Sequence, residues 1–564
     1  MDPSHDWRGH DAELERRLEL ASESIPNICE ESGNAGMSIG IIQNGKNLLL
    51  RNFGFQSVES GIHPDSDTIY HVASLTKAVT AAAIAILVDR GSLSWDDRIK
   101  DWLPDFHQLS EEVRENVTVL DLLSHRTGLD KEDLWWLQSE NRLLLAEDAT
   151  VQMCNNLRYL GGFRSEWIYN NWMYALCGIL VEKVTGQTYA DFVAQHLFEP
   201  LGLERTTIGE PPHENRALCY MSLDDATPIN VPHPQPGAGR LMAAAGGMKT
   251  CVNDLLKLYS AFLDAVEHPD QEHSAYNPFR LVPKLIEPQI RVDASSPFQI
   301  HYALGWVRSE LPAPLGLIGI NPMILEEEMP IVGRDCAPEL CLYHNGSLPG
   351  VLASVHLLPR TKTAIVVLAN SMPLTDSADL VGQHLVEAVV GTPRPHDYIE
   401  WSKKTRETLL SRYSGLQGRL QEDRSRSPEG PGPLDRYCGQ YFNKLGNWHV
   451  QVTACENKLR MYVQSFSDVY YDLDWHSGTT FTWPFDHEAD VKVARFPHFF
   501  LSFHRVNFVE DSNGSITSLN WELADNLKPS DFETGKNASS SADRFQFTNA
   551  SKEVLPMEPS VPKV

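Results

Sequence analysis

Apolar and polar positions along the chain follow two periods. Residues 11–24 (DAELERRLELASES) space Leu14, Leu18 and Leu20 among charges, which predicts a half-buried helix. GMSIGIIQNG and KNLLLRNFGF follow, two short apolar runs separated by Asn44-Gly45, a dipeptide suited to a tight hairpin turn. Residues 73–90 are rich in Ala, Val and Ile and contain no Gly or Pro; the run stops at Gly91, as one buried helix with a glycine cap would. Helical spacing returns at 120–123 and 173–184, and a second strand pair is expected around 342–358 and 363–370. Strands at both ends with helices between them predict one antiparallel sheet packed by helices, not repeated βαβ units.

Residues 418–434 (GRLQEDRSRSPEGPGPL) break this pattern with charges, Pro and Gly, the composition of a linker. Beyond it come short β-type runs: YCGQYF, WHVQVTA, KLRMYVQ, VYYDLDW, TTFTWPF, FFLSFHRVNFV and SITSLNW. Punctuated by turns, they predict a small antiparallel barrel or sandwich. The expected organisation is an N-terminal helical extension (1–34), a main domain (35–417), the linker (418–434), the barrel (435–528) and a disordered tail (529–564). A length of 564 residues fits two or more folded units.

Composition narrows the partners. Apolar residues make up 42% and charged residues 22%, enough for a sizeable core. The formal charge of −27, with no basic stripe, would repel phosphate backbones and argues against nucleic acid. Nine scattered cysteines without a CxxC pair read as reduced, mostly buried thiols. Neither a signal-peptide core nor an 18-residue apolar span is evident, so the expectation is a soluble, cytoplasmic protein with no membrane partner. His213, His233 and the other histidines show no HExxH-type spacing, and neither a catalytic metal nor another cofactor is expected.

Candidate chemistry begins at Ser74-Leu75-Thr76-Lys77, where a spacing of three places hydroxyl and ammonium on one helical face. A serine alcohol is a poor nucleophile until a base takes its proton, and a lysine can do so where its surroundings favour the neutral amine. A helix start adds a positive potential that favours an oxyanion. Alone, the spacing is weak evidence.

Its company is more specific. HVASLTKAVTAAAIAILVDRG resembles the SxxK helix of the serine β-lactamase and penicillin-binding-protein superfamily, in particular class C β-lactamases, D-aminopeptidases and related esterases. LLSHRTGL (122–129) is similar to that superfamily's "LLxHxSGL" segment, and IYNNWMYALCGILVEKVTG to its YxN element and following helix. AAAGGMKTCVNDLLK and YALGW resemble further family segments, and YHNGSLPG (343–350) lies where the family places its third motif. The likeness spans about residues 35–395. It implies a β-lactamase/transpeptidase-like α/β fold: an antiparallel sheet flanked by helices, with a helical subdomain. The linker and barrel resemble the C-terminal barrel of some D-aminopeptidase-like and esterase-like members.

Carried over residue by residue, the resemblance makes Ser74 the nucleophile, with Lys77 and Tyr169 sharing its proton. Asn171 would orient Lys77 and a substrate amide, despite the neighbouring Asn170. The backbone N–H groups of Ser74 and Ser347 would form an oxyanion hole, with Gly346 bare so that substrate can approach. His344 stands where β-lactamases carry a lysine that attracts a carboxylate, which favours esters, thioesters or uncharged amides. Glu166 reads as a solvated carboxylate. The implied activity is hydrolysis of a small-molecule ester, amide or short peptide through an acyl-enzyme. An acyltransferase resembling the lovastatin-type enzymes is the alternative, and a noncatalytic ligand-binding member is a third reading.

Overall fold

The computed structural model describes residues 7–211, 213–268, 277–325, 329–422, 424, 430–523 and 546–549. The expectations for residues 1–6, for part of the linker and for most of the tail lie outside them. Two compact units emerge. One comprises Met1–Lys131, Ala146–Ser411 and His487–Phe496; the other comprises Glu132–Leu145, Arg412–Asp486 and Pro497–Val564.

The first unit is built on an eight-stranded antiparallel sheet. From one edge its strands are Lys46–Gly54, Gly36–Gln43, Thr363–Ala369, Val351–Leu358, Glu339–Leu348, Val307–Leu311, His301–Tyr302 and Ile290–Arg291. The first hairpin turns at Asn44 and Gly45 with φ of 48° and 75°, the two left-handed positions such a turn needs. The region expected as one strand at 342–358 is two strands, because Pro349 and Gly350 (φ 87°) fold it into a hairpin. Pro349-Gly350 is itself a turn-forming dipeptide, so the break is visible in the sequence once these two residues are read apart from the apolar positions on either side.

Register decides which side chains meet which helices. Gly40 pairs with Val366, Val366 with Val355, and Val355 with His344, so these four share one face. A Cβ on Gly40 would press on Val252 and Leu256, which places helix Val252–Glu267 on that face. His356 and Ser354 belong to the opposite face, where Gly382 of helix Ser377–Val390 packs against both. His344 and Asn345 therefore look to opposite sides of the sheet.

The expected buried helix is a short 3₁₀ turn, Ala73–Leu75, running into helix Thr76–Asp89, whose residues from Thr76 to Leu87 are all buried. It ends at Gly91 (φ 68°). The N-terminal helix is longer than its predicted core, Trp7–Ser32, and Leu20 does not belong to its buried stripe. Leu14, Leu18, Ala21, Ile25 and Ile28 are buried at three- to four-residue spacing, whereas Leu20 is 51% exposed.

In the second unit eight strands close an antiparallel barrel. Its closing strand is Gln546–Asn549, inside the stretch expected to be disordered, with Phe547 buried. Four residues carry too little alternation to announce a strand, yet closure removes two exposed edges. Residues Glu132–Leu145 join this unit: Trp135 packs edge-on to Trp448 (5.0 Å), and Gln138 Oε1 accepts from the Tyr471 hydroxyl (2.9 Å). Helix Tyr398–Glu422 extends past residue 418, where the linker was expected to start. All nine cysteines are free thiols, six of them buried. Among the described residues no helix is long and apolar enough to cross a membrane.

Candidate active site

Ser74 sits in the middle of the 3₁₀ turn, and the residue before it, Ala73, is held at φ 44°. A non-glycine residue in the left-handed region costs about 1–2 kcal/mol, here sustained by the burial of Ala73 and Leu75 on either side. Lys77 lies one helical turn on and is fully buried. Its Nζ donates to Ser74 Oγ at 2.9 Å, to Asn171 Oδ1 at 2.8 Å and to the Ala245 carbonyl at 2.9 Å. Three donors thus face three acceptors, which leaves the ammonium one orientation. Lys77 Nζ also lies 4.8 Å from the centroid of the Tyr169 ring.

Two adjacent asparagines divide their work. Asn170 caps helix Asn171–Thr185 by accepting from the Trp172 N–H, and its amide donates to the carbonyls of Leu129 and Asp130. Asn171 is left to face Lys77, accepting from its Nζ through Oδ1.

The third-motif strand closes the site from the sheet. Val307–Leu311 pairs with Glu339–Leu348 only as far as Tyr343, so residues 344–348 keep one edge without a strand partner among the described residues. In a two-residue hairpin the closing pair, here Leu348 and Val351, is hydrogen-bonded, and alternation then turns the Ser347 N–H to the open edge. A Cβ on Gly346 would strike the Val72 carbonyl and lie 3.3 Å from Ser74 N. The strand can approach the Ser74 turn so closely only because this residue has no side chain.

His344 is 1% exposed. Its Nδ1 donates to the Asn345 carbonyl (2.7 Å), so Nε2 carries the lone pair and accepts from the Tyr302 hydroxyl (3.1 Å). Burial, reinforced by the Lys77 charge, pushes its pKa down to about 3, and the imidazole is neutral at any ordinary pH. Glu166 is exposed.

Two aromatic-cage residues lay in segments read from the sequence but had no role assigned. His125, within LLSHRTGL, is fully buried at φ 57°. Its ring is 4.4 Å from Tyr169, 4.7 Å from Tyr302 and 5.1 Å from Tyr174, and its Nδ1 accepts from the Asn170 N–H. Burial, then the Lys77 charge, holds its pKa well below the usual histidine range. Tyr302, within YALGW, links this wall to His344. Recurring sequence segments mark where such residues are; only packing shows which ring each one braces.

Behind the sheet, Asn345 Nδ2 donates to Asp379 Oδ1 (3.0 Å), and Asp379 also accepts from Gln383 (2.8 Å). Asp376, three residues earlier, is buried too, and burial raises both carboxyl pKa values, Asp376 further through repulsion by Asp379. In the unfolded chain these carboxyls ionise near 3.9. Above that pH the native state holds the extra proton, so stability falls as pH rises towards the raised native values. The thermal midpoint of the wild type is expected to fall between about pH 4 and pH 8, and Asp376→Asn to flatten that slope. An unchanged slope in the variant would contradict the assignment.

The fold and the Ser74–Lys77–Tyr169 grouping together define the serine β-lactamase and penicillin-binding-protein superfamily. The Beta-lactamase family model matches residues 21–389, and the chain belongs to that family. A second model, a domain of unknown function named DUF3471, matches residues 423–536. Among curated relatives, Protein flp of Staphylococcus aureus strain MW2 is 29% identical over 197 residues, 34% of this chain and 39% of that protein. Penicillin-binding protein 4* of Bacillus subtilis strain 168 is 28% identical over 169 residues, 29% and 36% respectively. The chain thus spans less than two fifths of the length of either. An unguisins hydrolase of Aspergillus violaceofuscus is 24% identical over 454 residues, 75% of each chain. Two solved structures share the fold. The octameric penicillin-binding protein homologue from Pyrococcus abyssi has a TM-score of 0.54 at 18% identity, over 90% of this chain and 98% of that one. The class C β-lactamase from Rhodobacter sphaeroides has a TM-score of 0.51 at 21% identity, over 66% and 98%.

Proposed function

We propose that the protein is a serine hydrolase that opens an ester or amide bond, that of a short peptide included, through an acyl-enzyme on Ser74. The observation that carries this reading is the buried Lys77 amine held between Ser74 Oγ and Asn171 Oδ1 at 2.9 and 2.8 Å. In the proposed sequence Lys77 acts in its neutral form, having first given up one ammonium proton, and its lone pair takes the Ser74 proton, with Tyr169 relaying it, as Oγ attacks the carbonyl carbon. The resulting oxyanion is received by the N–H groups of Ser74 and Ser347, and the proton passes to the leaving group. Water then attacks the acyl-enzyme and releases the acid. The likeness over three quarters of its length to a protein named a hydrolase favours water as acceptor over the acyltransferase alternative. Product analysis with an added alcohol or amine separates the two: free acid is expected to dominate, and preferential capture by the added acceptor would favour acyl transfer.

The third motif shapes the substrate range. A neutral His344, with its one lone pair occupied by Tyr302, offers a carboxylate no charge. A charge-assisted hydrogen bond contributes about 1.5–3 kcal/mol, roughly ten- to a hundredfold in kcat/KM. The wild type is therefore expected to hydrolyse a short-chain nitrophenyl ester with higher kcat/KM than nitrocefin, and His344→Lys to move the ratio towards nitrocefin. Faster nitrocefin hydrolysis than of every ester tried, or an unmoved ratio in the variant, would sink this argument.

A further inference from the structure

A pocket of about 310 Å³ opens beside the two-stranded pair Tyr70–His71 and Lys249–Thr250, which runs through Val72 into the Ser74 turn. Its walls carry Lys249, Arg216 and Arg240 against a single carboxylate, Glu210. In a chain of net charge −27 such a surplus of cations runs against the background.

Lys249 is the most unusual of them. It is 6% exposed, and the one hydrogen bond its ammonium makes among the described residues is to the Gly209 carbonyl, at 3.0 Å. Its other two N–H groups have no protein acceptor among the described residues. A Cβ on Gly237 would come within 3.3 Å of Nζ, so the bare backbone there leaves the ammonium accessible from the cavity. His71 Nδ1 is buried with no hydrogen-bond partner, and its ring stacks on His233 at 5.6 Å. Arg216 is tied by Nε to the His213 carbonyl (2.7 Å), with Nη1 3.6 Å from Glu210, which is itself 80% exposed. The Arg240 side chain has no ion pair among the described residues. The groups also depress one another. Burial, then the Lys249 charge, lowers the pKa of His71; burial lowers that of Lys249, which Arg240 and Arg216 lower further against Glu210. A positive potential of this kind is relieved by an anion.

We infer that this pocket is an oxyanion subsite, in which the Lys249 ammonium and the His71 and arginine side chains hold a carboxylate or phosphate carried by the substrate. That the anion belongs to the substrate rests on the acyl-enzyme reading of Ser74; that the pocket binds an oxyanion does not. The subsite supplies, beside the Ser74 turn, the cationic contact that the His344 strand lacks.

The direct test is calorimetric titration of the full chain with inorganic phosphate and, separately, with glutarate. Saturable binding of at least one is expected, weaker at salt of about 0.15 M than at low salt and weakened roughly tenfold or more in Lys249→Gln. Arg240→Gln, at an exposed position, should weaken it to a smaller degree without touching the core. Binding of phosphate alone assigns a phosphate-bearing substrate, and of glutarate alone a carboxylate. No binding of either anion, or binding unchanged in both variants, would overturn the inference. A second readout compares the mono-nitrophenyl ester of glutarate with nitrophenyl valerate. The wild type should prefer the anionic ester, and Lys249→Gln should lower the ratio of the two kcat/KM values towards one. Anion binding without hydrolysis of either ester would contradict the hydrolase reading and leave the pocket standing. Hydrolysis of both esters without anion binding would do the reverse.

Discussion

Ser74→Ala is expected to bring turnover down by about four orders of magnitude or more, to the residual level that binding and backbone donors alone can sustain. The change removes one hydroxyl from a half-buried turn and leaves Lys77 bonded to Asn171 and the Ala245 carbonyl, so the fold should hold. Circular dichroism and a thermal midpoint close to those of the wild type would show that chemistry alone was lost. Activity within tenfold of the wild type would place the nucleophile elsewhere.

Lys77→Met and Tyr169→Phe are each expected to slow acylation by about 10²–10⁴-fold, the usual contribution of a positioned acid or base. Methionine keeps most of the length of the buried stem but can neither hold nor pass a proton. Phenylalanine preserves the ring that packs on His125 at 4.4 Å and removes only the hydroxyl. The two changes therefore separate proton transfer from packing. Single-turnover rates are the measurement to make, because they report the acylation step without product release. A wild-type rate in either variant removes that residue from the proton path.

The candidate site was legible where local spacing carries the geometry. Ser74 and Lys77 lie one helical turn apart, so their contact at 2.9 Å follows from the helix itself. Asn44-Gly45 and Gly91 likewise announced a turn and a helix end through their backbone preferences. Tyr169, Asn171, His344 and Gly346 could be placed only through resemblance, because their meeting with Ser74 depends on packing across some hundred to nearly three hundred residues of chain. That same dependence hid His125 and Tyr302, which brace the site from segments already singled out. The Asp376–Asp379 pair gave no signal at all: carboxyls near a helix start normally read as solvated caps, and only the sheet above them makes them buried. The strand Gln546–Asn549 was too short to stand out from the polar tail around it.

The central claim is that Ser74 forms the covalent intermediate, and intact-mass spectrometry after exposure to a fluorophosphonate tests it most directly. The wild type should gain the mass of one phosphonyl group, localised to Ser74 by peptide mapping, and Ser74→Ala should gain none. A wild type that takes up no label, or a Ser74→Ala chain labelled to the same extent, would contradict the account.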